Sequence, residues 1–229
     1  MADYCDILRS HRPSDTLNVS VLRLADQTMM EGQVNGRKLE VSFSFAQELG
    51  SEVGQTSGTT GEADYSEYVK VTDDTGSIEI EIPAEWAQTD GSNWETNWGD
   101  ISITAPAITA AADLDKYNNG WGESGVFFAA SSDMGRTGGY LQLVEGVRDW
   151  YKNDCRRDSA EDYKDNLYEG RYELWKNCGP EKSYAFVLSA RPIQNKTSFL
   201  ILLELRITKD ADLKALDHIL QSFVVKGDV

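Results

Sequence analysis

Apolar positions recur along this chain with two periods, and the change from one to the other divides it. Tyr4, Ile7, Leu8 and His11 stand at i, i+3, i+4 and i+7, one face of a helix. Pro13 ends that helix, because the residue before a proline is pushed out of the helical region. "TLNVSVLRL" then alternates, with Leu17, Val19 and Val21 on one side, the period of a strand. "MMEGQV" and "RKLEVSFSF" flank Asn35-Gly36, a strong short hairpin signal. Residues 1–46 therefore predict a helix followed by a three-stranded meander. A piece this small leaves apolar side chains such as Leu22, Leu24, Met29 and Met30 without a second layer. Residues 47–65, "QELGSEVGQTSGTTGEADY", have no apolar period and read as a flexible linker.

The remainder, residues 66–229, is richer in signals. "SEYVKVT" and "SIEIEIP" pair across "DDTG", "ISITAP" follows, and "GVFFAAS", "YEGRYELWKNC", "SYAFVLSARP" and "FLILLELRIT" are further strands. "ADLDKYNNGW" predicts a helix ending at Asn119-Gly120. In "YLQLVEGVRDWYK", Leu141, Val144, Val147 and Tyr151 have helical spacing. "DADLKALDHILQSF" closes the chain as a helix, capped by Asp210 or Asp212, with Leu213, Leu216, Leu220 and Phe223 inward. Hairpin-linked strands with inserted and appended helices predict an α+β domain, an antiparallel sheet covered by helices on both faces.

Charge narrows the partners. The net charge is −16, and residues 66–229 hold 17 bases against 28 acids. That excludes binding to nucleic acid or to an anionic membrane surface through a basic patch. No apolar run reaches the length of a membrane span. Met1 is followed by Asp3 and Asp6 and not by the basic and then apolar segments of a leader. Cys155 and Cys178 lie 23 residues apart, with polar and tyrosine-rich residues between them. They form either a disulfide, contributing about 3.4 kcal/mol by loop entropy and implying an oxidising compartment, or two free thiols. Cys5 stands alone in the first helix. The sequons at Asn18 and Asn195 are permissive of secretion.

Catalytic candidates are few. A Ser-His-Asp triad needs a base within reach of its nucleophile, and the chain has two histidines, His11 and His218. Ser124 in "GESG" is glycine-flanked but lacks a preceding Asp and a second following Gly. "TDDTGS" reads as a hairpin turn, without the ligand spacing of a calcium loop. No catalytic set, metal site or cofactor is expected. Trp86 follows a strand and is expected to pack. Trp94, Trp98, Tyr117 and Trp121 lie in polar, Gly/Asn-rich stretches. They form either a platform for a carbohydrate or peptide chain or a loop-borne minicore over the sheet edge.

Two stretches resemble known families. The helix "MADYCDILRSH", the turn "RPSDT", the strand "LNVSVLR" and the hairpin "EGQVNGRKLE" are similar to the second half of a PDZ domain behind a trypsin-like protease. "YVKVTDDTGSIEIEIPAEW", "LDKYNNGWGESGVFFAAS", the Cys155–Cys178 region and "ADLKALDHILQSF" resemble the extracytoplasmic domain that follows such trypsin–PDZ units in some bacterial secreted proteases. The implied architecture is a Mog1/PsbP-like sandwich. The resemblance implies that Met1 matches the head of the PDZ helix, with leader, HtrA-like protease and half of the peptide groove before it in the parent. It further implies a non-catalytic, extracytoplasmic region for binding or regulation. Its expected partner is a protein or peptide, including the protease/PDZ half or another copy of this chain. The alternative is a freestanding secreted module that uses its tryptophan-rich surface.

Overall fold

The computed structural model describes residues 64–227 and 229 in full, and before them the backbone of three strands: β1 (Leu17–Arg23), β2 (Thr28–Val34) and β3 (Glu40–Phe43). β2 pairs antiparallel with both neighbours, the meander that alternation predicts. The expected N-terminal helix with Cys5 and His11, the Asn35-Gly36 turn and linker residues 47–63 lie outside the described residues.

Strands β10 (Gly125–Ser131), β13 (Ser183–Pro192) and β14 (Leu200–Ile207) are apolar on both faces. Such strands must be covered on both sides, and they form the middle of a seven-stranded antiparallel sheet. Its order is β11 (Arg156–Lys164), β12 (Tyr168–Cys178), β13, β14, β10, β9 (Ala107–Ala111), β6 (Gln88–Asp90). The edges are protected by composition and length: β11 carries "RRDSAEDYK", and β6 is three exposed residues.

One face of the sheet presents Phe128, Phe186, Leu188, Ile201, Leu203 and Leu205. Helix α3 (Asp210–Ser222) covers it with Leu213, Leu216, Ile219 and Leu220. A small sheet of β4 (Tyr68–Thr72), β5 (Ile78–Pro83) and β15 (Val224–Val225) completes this layer, inserting Ile78, Ile80 and Ile82. The opposite face presents Ala129, Ala185, Val187, Leu200 and Leu202 to helix α2 (Tyr140–Tyr151) and to the hairpin of β7 (Trp94–Trp98) and β8 (Ile101–Ala105). A short helix, α1 (Leu114–Asn119), links β9 to β10 and is capped by Asp113, whose side chain accepts from the Lys116 amide. This is the helix-covered antiparallel α+β sandwich that the sequence predicts.

Several expectations need correction. Leu141 is 44% exposed, and Leu143 takes its place beside Val144, Val147 and Tyr151 in the core. The stretch around Trp94 and Trp98, expected as loop, is strand β7. Strands β6, β9 and β11 carry no signal strong enough to be predicted. The α3 cap is Lys209; Asp212, three residues in, accepts from the Thr208 and Lys209 amides at 2.8 and 3.0 Å. Tyr65, at the end of the Gly/Ser/Thr-rich stretch, donates to Asp212 at 2.7 Å and accepts from Trp86 Nε1 at 3.0 Å. Trp86 is buried at 2% exposure, as its position after β5 suggests.

Cys155 and Cys178 form a disulfide that closes the open end of the β11–β12 hairpin. At the other end Asp165 accepts from the Leu167 and Tyr168 amides at 2.7 and 2.6 Å. The residues between the cysteines have no core of their own; Tyr163, Tyr172 and Leu174 join the layer beneath α3, and Trp175 joins the one beneath α2. The bridge fits an oxidising compartment. Among the described residues no helix is long and apolar enough to cross a membrane.

Candidate functional site

The face under α2 is not closed. Thr109 on β9, Phe127 on β10 and Glu204 on β14 are one row across three neighbouring strands. Arg206 follows Glu204 on the same side of β14, because side chains of a strand repeat with period two. The β7 pattern puts Trp94, Thr96 and Trp98 inward and Glu95 and Asn97 outward. Trp94 meets the Phe127 ring edge-on at 5.4 Å and Trp150 of α2 at 6.1 Å. Trp94, Thr109, Phe127, Trp150, Glu204 and Arg206, together with Tyr117 and Asn118 of α1, line an open cleft of about 200 Å³.

Arg206 holds the floor in place. Its guanidinium lies over the Tyr117 ring at 4.2 Å and the Trp121 ring at 4.7 Å. It donates to the Tyr117 and Gly120 carbonyls, which are orphan acceptors at the end of α1. A second nitrogen bonds Glu204 at 3.1 Å. Burial, and then the Glu204 charge, push the Tyr117 and Tyr151 hydroxyls well above the ordinary tyrosine range. Two buried polar atoms here, the Tyr117 hydroxyl and Arg206 Nε, have no partner among the described residues.

The predicted aromatic residues thus separate. Trp94 and Tyr117 line the cleft, Trp98 supports it by meeting Trp150 edge-on at 6.3 Å, and Trp121 lies behind Arg206 against Tyr151. Two close approaches hold the rings. A Cβ on Gly146 would fall 1.7 Å from Trp98, and one on Gly125 would fall 2.6 Å from the Tyr117 ring. Sequence reasoning missed Trp150, Phe127, Glu204 and Arg206. The last two had a signal: a charged pair two apart, "ELR", inside an otherwise aliphatic strand.

The trypsin-like comparison of Ser124 fails at the geometry. Its hydroxyl donates to Asp212 at 2.6 Å and lies 2.6 Å from Thr208 Oγ1. Asp212 is spent on the α3 N-terminus and Tyr65, and burial raises its carboxyl above the usual range against the pull of those hydrogen bonds. His218 is engaged elsewhere, bonded to Glu81 at 2.8 Å and stacked on Tyr68 at 3.7 Å. "TDDTGS" is a hairpin turn in which Asp73 accepts from the Thr75 and Ile78 amides at 2.8 and 2.7 Å. Among the described residues no cluster of His, Cys, Asp and Glu could hold a metal.

No protein-family model matches the chain, and no curated protein matches it significantly. Among solved structures it is similar to the solution structure of cyanobacterial PsbP (CyanoP) from Synechocystis sp. PCC 6803, with 14% identity, coverage of 74% of this chain and 99% of that one, and a TM-score of 0.39. The architecture described above rests on strand pairing and layering, not on that likeness.

Proposed function

We propose that residues 64–229 are a non-catalytic, extracytoplasmic binding module whose site is the aromatic cleft under α2. One observation carries this reading. Half-exposed indoles are mounted on regular elements around a bonded charged pair that lines an open cleft. Rings of this kind contribute a large contact area with little loss of freedom, and strand and helix positions hold them fixed. The disulfide supports an extracytoplasmic site of action. The two resemblances of the sequence support a parent of the secreted trypsin–PDZ type, in which this region serves recognition or targeting.

Titration of the chain with soluble glycans and with a casein digest, read by tryptophan emission, tests the module. A saturable shift that disappears in Trp94→Ala is expected; the absence of any shift contradicts the reading. Incubation with intact casein is expected to give no cleavage. Turnover abolished by Ser124→Ala would overturn the non-catalytic assignment.

A further inference from the structure

We infer that the cleft takes an uncharged sugar residue of a longer glycan, stacked on Trp94 and Trp150 and bonded by Glu204 and Arg206. The inference rests on the binding reading above and adds the ligand's chemistry.

Size comes first. A cleft of about 200 Å³ is below the roughly 300–1,000 Å³ of sites for drug-sized ligands. It has room for one small ring, and it is open to solvent. Trp94 and Trp150 stand nearly perpendicular, at 78°, and Trp150 is 45% exposed. An apolar ring face against one indole and a ring edge against the other suit that corner.

Charge comes second. Glu204 and Arg206 are bonded to each other and neutralise each other. An anionic or cationic ligand would meet a like charge from one member of the pair, inside a protein of net charge −16. A hydroxyl donates and accepts at once. Neighbouring hydroxyls can therefore accept from Arg206 and donate to Glu204 without disturbing the pair. Asn118 at the rim also offers both functions.

Backbone geometry argues against addition of a peptide strand along β9. Strand addition needs a free sheet edge, but β9, which carries Thr109, is paired on one side with β10 and on the other with β6.

Nitrogen-15 NMR of the tryptophan indole signals tests the assignment. The full chain is titrated separately with cellohexaose, chitohexaose, maltohexaose, a polygalacturonate fragment and a casein digest. At least one of the three neutral oligosaccharides is expected to shift the Trp94 and Trp150 signals saturably. Glu204→Gln and, at the exposed rim, Asn118→Ala should each weaken that binding at least fivefold, while amide dispersion shows each variant folded. Shifts from only the charged saccharide or the peptides would overturn the sugar assignment and keep the binding module. Shifts from no probe would overturn both. Neutral-sugar affinity unchanged in both variants would overturn the assigned contacts.

Discussion

The two faces of the central sheet differ although the same strands supply both. Under α3 the contacts are aliphatic and aromatic side chains that reach nearly complete burial, closed further by Ile78, Ile80 and Ile82 of the small sheet. Under α2 the layer holds Glu173, Glu204 and Arg206, several tyrosines and tryptophans, and an open corner. Even the polar groups differ in use. Glu173 is fully buried and is held by Arg148 at 2.8 Å and Arg157 at 3.3 Å, a structural clamp between α2 and the sheet. Glu204 and Arg206 border open space. Burying a charge is unfavourable unless it is paired, and the fully buried Asp212 of α3 and Glu173 under α2 are both held by structural hydrogen bonds. Only the Glu204–Arg206 pair lines an open cleft, and that separates a core from a candidate site.

Adjacent residues of β10 test this contrast most strongly. Phe128 points under α3 and is fully buried, whereas Phe127 points under α2 and is half-buried. Phe128→Ala is expected to destabilise the domain by about 4 kcal/mol without changing the cleft. Phe127→Ala should cost about 1–2 kcal/mol, because less surface is buried, yet abolish ligand binding. Urea unfolding beside the fluorescence titration separates the two. Equal losses of stability would erase the distinction between the faces.

Tyrosines give a smaller effect with a definite sign. Tyr117 and Tyr151 have folded pKa values raised above the unfolded value of about 10. Their contribution is therefore fully present below pH ~10 and is lost as pH rises from there toward the folded values, at up to about 1.4 kcal/mol per pH unit for each tyrosine. Tyr117→Phe should shallow that slope in urea titrations between pH 9 and 11. At neutral pH it should stabilise by about 1 kcal/mol, since it removes a buried hydroxyl without a partner. A loss of stability at neutral pH would mean that the hydroxyl is satisfied.

Smaller still is Gly146→Ala. Alanine favours a helix over glycine by about 1 kcal/mol, but its methyl overlaps the Trp98 ring. The variant is expected to be less stable by about 1 kcal/mol, with tryptophan emission shifted to the red. A more stable variant with unchanged emission would show that Trp98 does not rest on α2.

Much of this contrast was legible in the sequence, unevenly. The α3 face was plain, because Leu213, Leu216, Leu220 and Phe223 repeat at helical spacing and "IEIEI" alternates. β11 was not, since an edge strand with one buried residue in nine leaves no period to read. β7 does alternate, but glycine and asparagine on its flanks favoured a loop. Trp94 and Tyr117 could be picked out as exposed-aromatic candidates. The rest of the cleft could not, because Phe127, Trp150, Glu204 and Arg206 come from distant segments and meet only through the register of β9, β10 and β14. In isolation each looks like part of an ordinary strand or helix.

Trp150→Ala puts the central claim to the most direct test. Its indole is 45% exposed and stands at the mouth of the cleft, so its truncation should remove less buried surface than that of the fully buried Phe128. Paired measurements of thermal unfolding and of ligand titration are expected to show a Tm within about 2–4 °C of the parent, the shift for ~1 kcal/mol in a domain of this size, and binding weakened at least tenfold. Unchanged binding, or a collapse of stability as large as that of Phe128→Ala, would contradict the assignment of this face as a site and return it to the core.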